Sequence, residues 1–269
     1  MPRLPDGPPP GQRRLRLAVE YDGTDFAGWQ AQIEERGRTV QVALEQAILR
    51  ITGEAVRVVG AGRTDAGVHA TGQVAHFDTG WARPLAELQR ALAAVLPPDV
   101  VVTEAVEAPP GFHARYSARE RTYVYTILNR PVRAPLLART SWHVAMPLDV
   151  EAMAAATAPL AGSHDFRAFG QPMRAGASTT RRITRLTVEA QGECIVVTVA
   201  ADAFLRHMVR RIAFALAEVG RGRLKTEDVA EILASTDPQR LHGLAPPQGL
   251  CLVDVTYDDV EWRACGPAT

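Results

Sequence analysis

The chain has 269 residues, 46% apolar and 22% charged, with 30 basic and 30 acidic side chains and no net charge. That is ordinary globular composition, enough for one large domain or two ordinary ones, and no apolar run approaches the roughly 18 residues of a membrane helix. Three cysteines, Cys194, Cys251 and Cys265, lie far apart and form neither a zinc nor a disulfide pattern, which fits a reducing cytoplasm.

Residues 1–12 are rich in proline and lack an apolar signal region, so they are expected to be a disordered leader and not a secretory signal. Leu15, Leu17, Val19 and Tyr21 alternate with polar or small residues and predict a strand with one buried face. A loop over residues 22–30 follows. Val40, Leu44, Ala47, Ile48 and Ile51 then fall at helical spacing, with Thr39 as N-cap and Gly53 as the stop. Val56 to Val59 is a short apolar strand. Residues 60–72 are a glycine-rich loop, and residues 73–78 alternate as another strand. Pro84 suits the first turn of a helix carrying Leu85, Leu88, Leu92 and Val95, which Pro97 and Pro98 end. Val100 to Val106 is a strand, so the order is β-α-β-β-α-β.

A second pass begins after residues 108–111. Arg121 to Leu128 is a strand, with Tyr123, Tyr125 and Ile127 on one face, and residues 141–146 are a shorter one. Asp149 caps an alanine-rich helix over 150–160, although Pro159 must fall in its last turn or beyond. A polar, arginine-rich loop is expected over 162–182. Residues 183–190 and 194–201 are strands joined by a hairpin-sized turn. Met208, Ile212, Leu216 and Val219 line a helix that Gly220 ends. Thr226 caps a short helix, and residues 250–257 are the last strand. The order is again broadly β-α-β-β-α-β. This predicts an α+β protein of two similar, ferredoxin-like or RRM-like halves. They would be joined through a mixed, largely antiparallel central sheet with helices on the outer faces. The expected divisions are a leader (1–12), an N-terminal half (13–110), a C-terminal half (111–262) and a tail (263–269).

The charges are unevenly spread. From His113 to Trp142 there are six arginines against one acid, Glu120, and from Phe166 to Val188 five arginines and no acid. From Leu205 to Lys225 there are five arginines and the chain's one lysine against Glu218. Such blocks suit a polyanion, although charged residues also sit on solvated faces for solubility alone.

The loop Gly60-Ala61-Gly62-Arg63-Thr64-Asp65-Ala66-Gly67-Val68-His69-Ala70-Thr71-Gly72 carries the clearest chemical signal. It lacks the lysine of a phosphate-binding P-loop. It also lacks the third glycine and following helix of a dinucleotide fingerprint. His69, His76 and Asp65 do not have metal-ligand spacing. What remains is one carboxylate, Asp65, crowded by glycines, a hydroxyl and Arg63. A carboxylate kept ionised by an arginine can serve as nucleophile or general base. Arg63 could supply that charge or meet a phosphate.

Residues 62–69 closely resemble the catalytic motif of the tRNA pseudouridine synthase A family. Residues 20–23 and 28–30, Thr39-Val40-Gln41, Phe112-His113-Ala114-Arg115, Arg121-Thr122-Tyr123-Val124-Tyr125, His164-Asp165-Phe166, residues 204–210 and 249–252 resemble further motifs of that family, in the same order. The resemblance implies conversion of uridine to pseudouridine at positions 38, 39 and 40 of the tRNA anticodon stem-loop. It also implies a cytoplasmic homodimer with tRNA as partner, no membrane and no cofactor. Asp65 would be the nucleophile, with attack on the sugar C1′, attack on the base and proton abstraction all open as routes. Arg206 would pair with Asp65, and Tyr123 would stack on the target base. Leu250 would pack beneath the base, and Arg63, Thr64 and His69 would complete the substrate site. His69, His113 and His207 also read as structural hydrogen-bonded residues, and Trp29 and Tyr125 as packing. A non-catalytic RNA-binding module with the same arginine patches is the competing reading.

Overall fold

The computed structural model describes residues 7–30 and 37–258. The first half of the expected leader (1–6) and the expected tail (263–269) lie outside these. The described residues divide into two compact units, 7–30, 37–119 and 252–258 in one and 120–251 in the other, so most of the last strand is counted with the first unit.

The first unit runs β1 (Arg13–Tyr21), α1 (Val40–Thr52), β2 (Val59–Gly60), β3 (His69–Thr79), α2 (Leu85–Val95), β4 (Val100–Glu107). β4, β1 and β3 lie side by side, antiparallel, with β2 pairing on β3. Residues 252–257 of β10 (Leu250–Tyr257) flank β3. The local signals explain the boundaries. Thr39 accepts from the Val42 N–H at the start of α1, and Gly53 ends it in the left-handed conformation at φ +75°. α2 follows Pro84, and the chain is extended at Leu96, just before Pro97. Leu15, Leu17, Val19 and Tyr21 form the apolar row of β1, buried together with Leu44 and Ile48 of α1 and Leu88 and Leu92 of α2. Each such aliphatic side chain contributes about 1.5–3 kcal/mol of burial.

The other row of β1 is buried too from Arg14 to Ala18, with only Glu20 exposed, which alternation alone did not predict. Arg14 faces Asp78 in register and binds it at 2.7 and 2.9 Å, and Arg16 pairs with His76. Phe112 lies against this row. Arg14 donates to the Phe112 carbonyl at 2.8 Å, and the Arg16 guanidinium lies 5.3 Å from the Phe112 ring centre.

The second unit holds β5 (Ala118–Asn129), β6 (Trp142–Val144), α3 (Val150–Ala155), β7 (Gly162–Asp165), β8 (Thr180–Gln191), β9 (Cys194–Ala201), α4 (Met208–Gly220) and α5 (Thr226–Ser235), with the first two residues of β5 counted in the other unit. Its strands run β5-β9-β8-β7, antiparallel, and β6 joins β5 in parallel. β5, β9 and β8 thus repeat the neighbour order of β1, β3 and β2. Tyr123, Tyr125 and Ile127 stand opposite Val199, Val197 and Ile195, and these six side chains are buried as one row. The α+β class, the antiparallel sheets and the helices packed against them are as the sequence predicts.

Several boundaries differ. α3 stops at Ala155, and a separate 3₁₀ turn carries Pro159, because proline cannot continue the α-helical ladder. The loop expected over 162–182 contains β7. The short helix α5 is capped at Lys225, whose N–H donates to the Asp228 carboxylate at 2.7 Å, and Thr226 is already helical. Among the described residues no helix is long and apolar enough to cross a membrane.

Candidate active site

β3 begins at His69, so the loop that carries Asp65 is short, from Ala61 to Val68. It is tied at many points. The Ala61 N–H donates to the Val74 carbonyl at 2.7 Å. Gln73, fully buried, donates to the Gly62 carbonyl at 3.0 Å. The hydroxyls of Tyr21 and Thr64 are 2.8 Å apart, and the Trp29 N–H donates to the Thr64 carbonyl at 3.1 Å. The Gly67 N–H donates to the Phe26 carbonyl, and the Val68 N–H closes a turn on the Asp65 carbonyl. The result is a half-buried Asp65 between buried Thr64 and exposed Ala66, on a backbone with little freedom.

The loop of residues 22–30 lies directly against it, and two glycines permit that approach. A Cβ on Gly23 would stand 2.0 Å from the Val68 carbonyl oxygen. Gly28 has φ +106°, and its Cβ would stand 2.7 Å from the Thr64 carbonyl oxygen. His69 is buried, and its Nδ1 accepts the Gly23 N–H at 3.0 Å, with Asp22 Oδ1 3.2 Å away. The imidazole therefore fastens the neighbouring loop. Arg63 is exposed on the loop surface.

Tyr123, Arg206 and Leu250 belong to the second unit. Tyr123 is 8% exposed, and the ring of Phe204 meets it edge-on at 5.1 Å. Two residues on, Arg206 is exposed and held by a reciprocal backbone pair with Gln171, at 3.2 and 3.0 Å. His207 follows in the left-handed region at φ +67°, a conformation that carries strain of about 1–3 kcal/mol in a non-glycine residue. This sharp turn starts α4. Leu250 opens β10 and is buried. Tyr125 is a core residue, fully buried, with its hydroxyl donating to the Pro246 carbonyl, and burial raises its pKa.

Tyr21, Gln73 and Phe204 are the residues whose contribution sequence reasoning missed. The first two hold the Asp65 loop and the third packs on Tyr123. Tyr21 carried one signal, a hydroxyl at the end of an otherwise apolar strand row. His76 and His113 both act as acceptors. His76 Nδ1 takes the Ala114 N–H at 3.1 Å, and His113 Nδ1 takes those of Arg115 and Tyr116, each at 3.2 Å. Among the described residues no group of three His, Cys, Asp or Glu side chains could hold a metal ion.

Residues 17–117 and 156–258 match the family model described as tRNA pseudouridine synthase. The chain is 46% identical to the tRNA pseudouridine synthase A of Pelobacter propionicus over 91% of its own length and all of that protein's. It is also 46% identical to the one of Moorella thermoacetica, over 90% and 99% of the two chains, and to the one of Myxococcus xanthus, over 91% and 92%. On the strength of these matches, the chain belongs to the tRNA pseudouridine synthase A family.

Proposed function

We propose that this protein isomerises uridine to pseudouridine in tRNA, at positions 38, 39 and 40 of the anticodon stem-loop, in the cytoplasm and as a homodimer. The reaction breaks the bond from C1′ to N1 of uracil and forms one from C1′ to C5. N1 gains a proton and C5 loses one, so product and substrate are isomers and no redox partner is required.

The observation that carries the reading is the tethered, half-buried carboxylate of Asp65 in a chain of this family. Catalysis rewards a nucleophile that is already positioned, since orientation is then not lost at the moment of reaction. A base within a stem must first leave the stack, at a cost of a few kcal/mol. Arginine contacts to the phosphates offset that cost. In this scheme Asp65 is the nucleophile and Arg206 its cationic partner, keeping it ionised. Tyr123 stacks on the target base, Leu250 packs beneath it, and Arg63 meets the flipped nucleotide or its phosphate. Thr64 and His69 serve the substrate through the loop wall that they fix.

The test uses tRNA transcripts tritiated at C5 of uridine, each with a uridine at one candidate position. The wild-type protein should release tritium, and Asp65→Asn should release none while binding tRNA within about threefold of wild type. Retained release by Asp65→Asn would remove the nucleophile assignment. Binding by the wild type without release would favour a non-catalytic RNA-binding module. Sedimentation of the wild-type protein as a monomer at assay concentration would rule out the homodimer.

A further inference from the structure

Next to the Asp65 loop the first unit has a cavity of about 150 Å³, of whose lining the proposed reaction uses only Arg63. One wall is Trp29, 2% exposed, with its indole flush on Gly60: a Cβ there would stand 2.5 Å from the ring. Three exposed arginines, Arg57, Arg63 and Arg115, line the cavity with Tyr116, and among the described residues that line it there is no Asp or Glu. Arg57 has Glu45 at 3.5 Å, outside that lining.

Tyr116 makes the hollow specific. It is 51% exposed, yet its ring is ordered by stacking on His113 at 4.3 Å and 28°. His113 is fixed in turn. Its Nδ1 accepts two backbone N–H groups of the same turn, and the His113 backbone N–H donates to the Ser117 hydroxyl at 3.0 Å. An exposed, pre-oriented aromatic ring beside arginines is the arrangement that holds an unpaired nucleotide, with the base on the ring and the phosphate on the cations.

We infer that this cavity is a second nucleotide subsite, which takes an unpaired base and the adjacent phosphodiester of the same RNA whose uridine reacts at Asp65. The inference rests on the RNA-modifying function proposed above and adds the residues Arg57, Arg115 and Tyr116 to it. Occupying this subsite would hold the strand beside the reactive loop while the target nucleotide is out of the stack.

Tritium release and tRNA binding at several salt concentrations separate the outcomes. Tyr116→Ala should raise KM by about tenfold or more, and Tyr116→Phe should restore it, because the phenyl ring still stacks. Arg57→Gln and Arg115→Gln should each weaken tRNA binding and lower the slope of log Kd against log salt by about one. Free uridine monophosphate should compete for the subsite far more weakly than a tRNA transcript. Unchanged KM in Tyr116→Ala together with unchanged salt slopes in both arginine variants would overturn the inference and leave the proposed reaction standing. If Tyr116→Ala fails to fold, the salt slopes of the arginine variants decide alone. Wild-type protein that releases no tritium would instead overturn the reaction, whatever the binding results.

Discussion

The hydroxyls of Tyr21 and Thr64, on residues 43 positions apart, are 2.8 Å from each other inside the first unit, and the Gln73 amide reaches the same phenol at 3.4 Å. This contact ties the last residue of β1 to the residue before Asp65. Tyr21→Phe keeps the ring and its packing and removes only the oxygen. It should cost about 1–3 kcal/mol, because Thr64 and Gln73 lose a buried partner. Activity should fall further than stability suggests, as a small displacement of the nucleophile is enough to cost about 100-fold in rate. Thermal unfolding and tritium release on one preparation check both. Unchanged kcat would show that the tether does not set the position of Asp65.

Gly28→Ala tests the other side of the loop. A methyl at φ +106° is strained by its own backbone and would meet the Thr64 carbonyl oxygen at 2.7 Å, a backbone atom that a side-chain rotation cannot move. The expected loss is about 1–3 kcal/mol or more of stability, with tritium release falling at temperatures where the variant is still folded. An alanine variant as stable and active as wild type would mean that the two loops can separate without consequence.

Much of this was legible in the chain because the signals are local. Thr39 and Gly53 bound α1 through their own side-chain and backbone chemistry, and the alternation from Leu15 to Tyr21 marks β1 without help from elsewhere. Asp65 stood out for the glycines, hydroxyl and guanidinium around it. β7 did not: a glycine and three polar residues, Gly162–Asp165, become a strand only because β8 offers them partners from Thr180 to Ile183. The early start of β3 has the same cause. Ala70 pairs with Tyr21 beyond an irregularity in the ladder, so tertiary pairing extends the strand into a stretch that glycine and threonine mark as loop. Arg115 stood out only as part of an arginine-rich block and a family motif, and Tyr116 not at all, because it is the turn organised by His113 that brings them to the cavity of Arg57 and Arg63.

The two histidines under that turn predict a pH dependence. Burial above all, then the charges of His113 and Arg14, lowers the pKa of His76 from 6.5 to about 3, against a smaller opposing effect of Asp78. Burial and the Arg14 charge lower that of His113. Both must be neutral to accept the backbone N–H groups that they hold. A depressed folded pKa means that the unfolded chain binds the extra proton first. Stability is therefore complete above about pH 6.5 and is lost as the pH falls from there, for His76 down to about pH 3, with a slope of up to about 1.4 kcal/mol per pH unit from each histidine while it titrates in the unfolded chain alone. Chemical denaturation between pH 7.5 and 4.5 should show this, and His76→Gln should flatten part of it. A wild-type curve with no slope below pH 6.5 would contradict the acceptor role of these rings.

Phe204 offers a way to test Tyr123 without touching it. Its ring meets Tyr123 edge-on at 5.1 Å and 87°, and it precedes Arg206 by two residues in the turn before α4. Phe204→Leu keeps an apolar side chain there but removes the ring pair, which is worth about 0.5–1.5 kcal/mol beyond burial. Stability should fall by about that amount. If Tyr123 is the stacking platform, the looser ring should lower kcat by about 3–10-fold with little change in tRNA affinity, since phosphate contacts dominate binding. Phe204→Tyr, which keeps the aromatic edge, should recover most of the rate. A fall in kcat that Phe204→Tyr does not recover would trace the effect to the Arg206 turn, and an unchanged kcat in Phe204→Leu would show that the packing of Tyr123 does not limit the reaction.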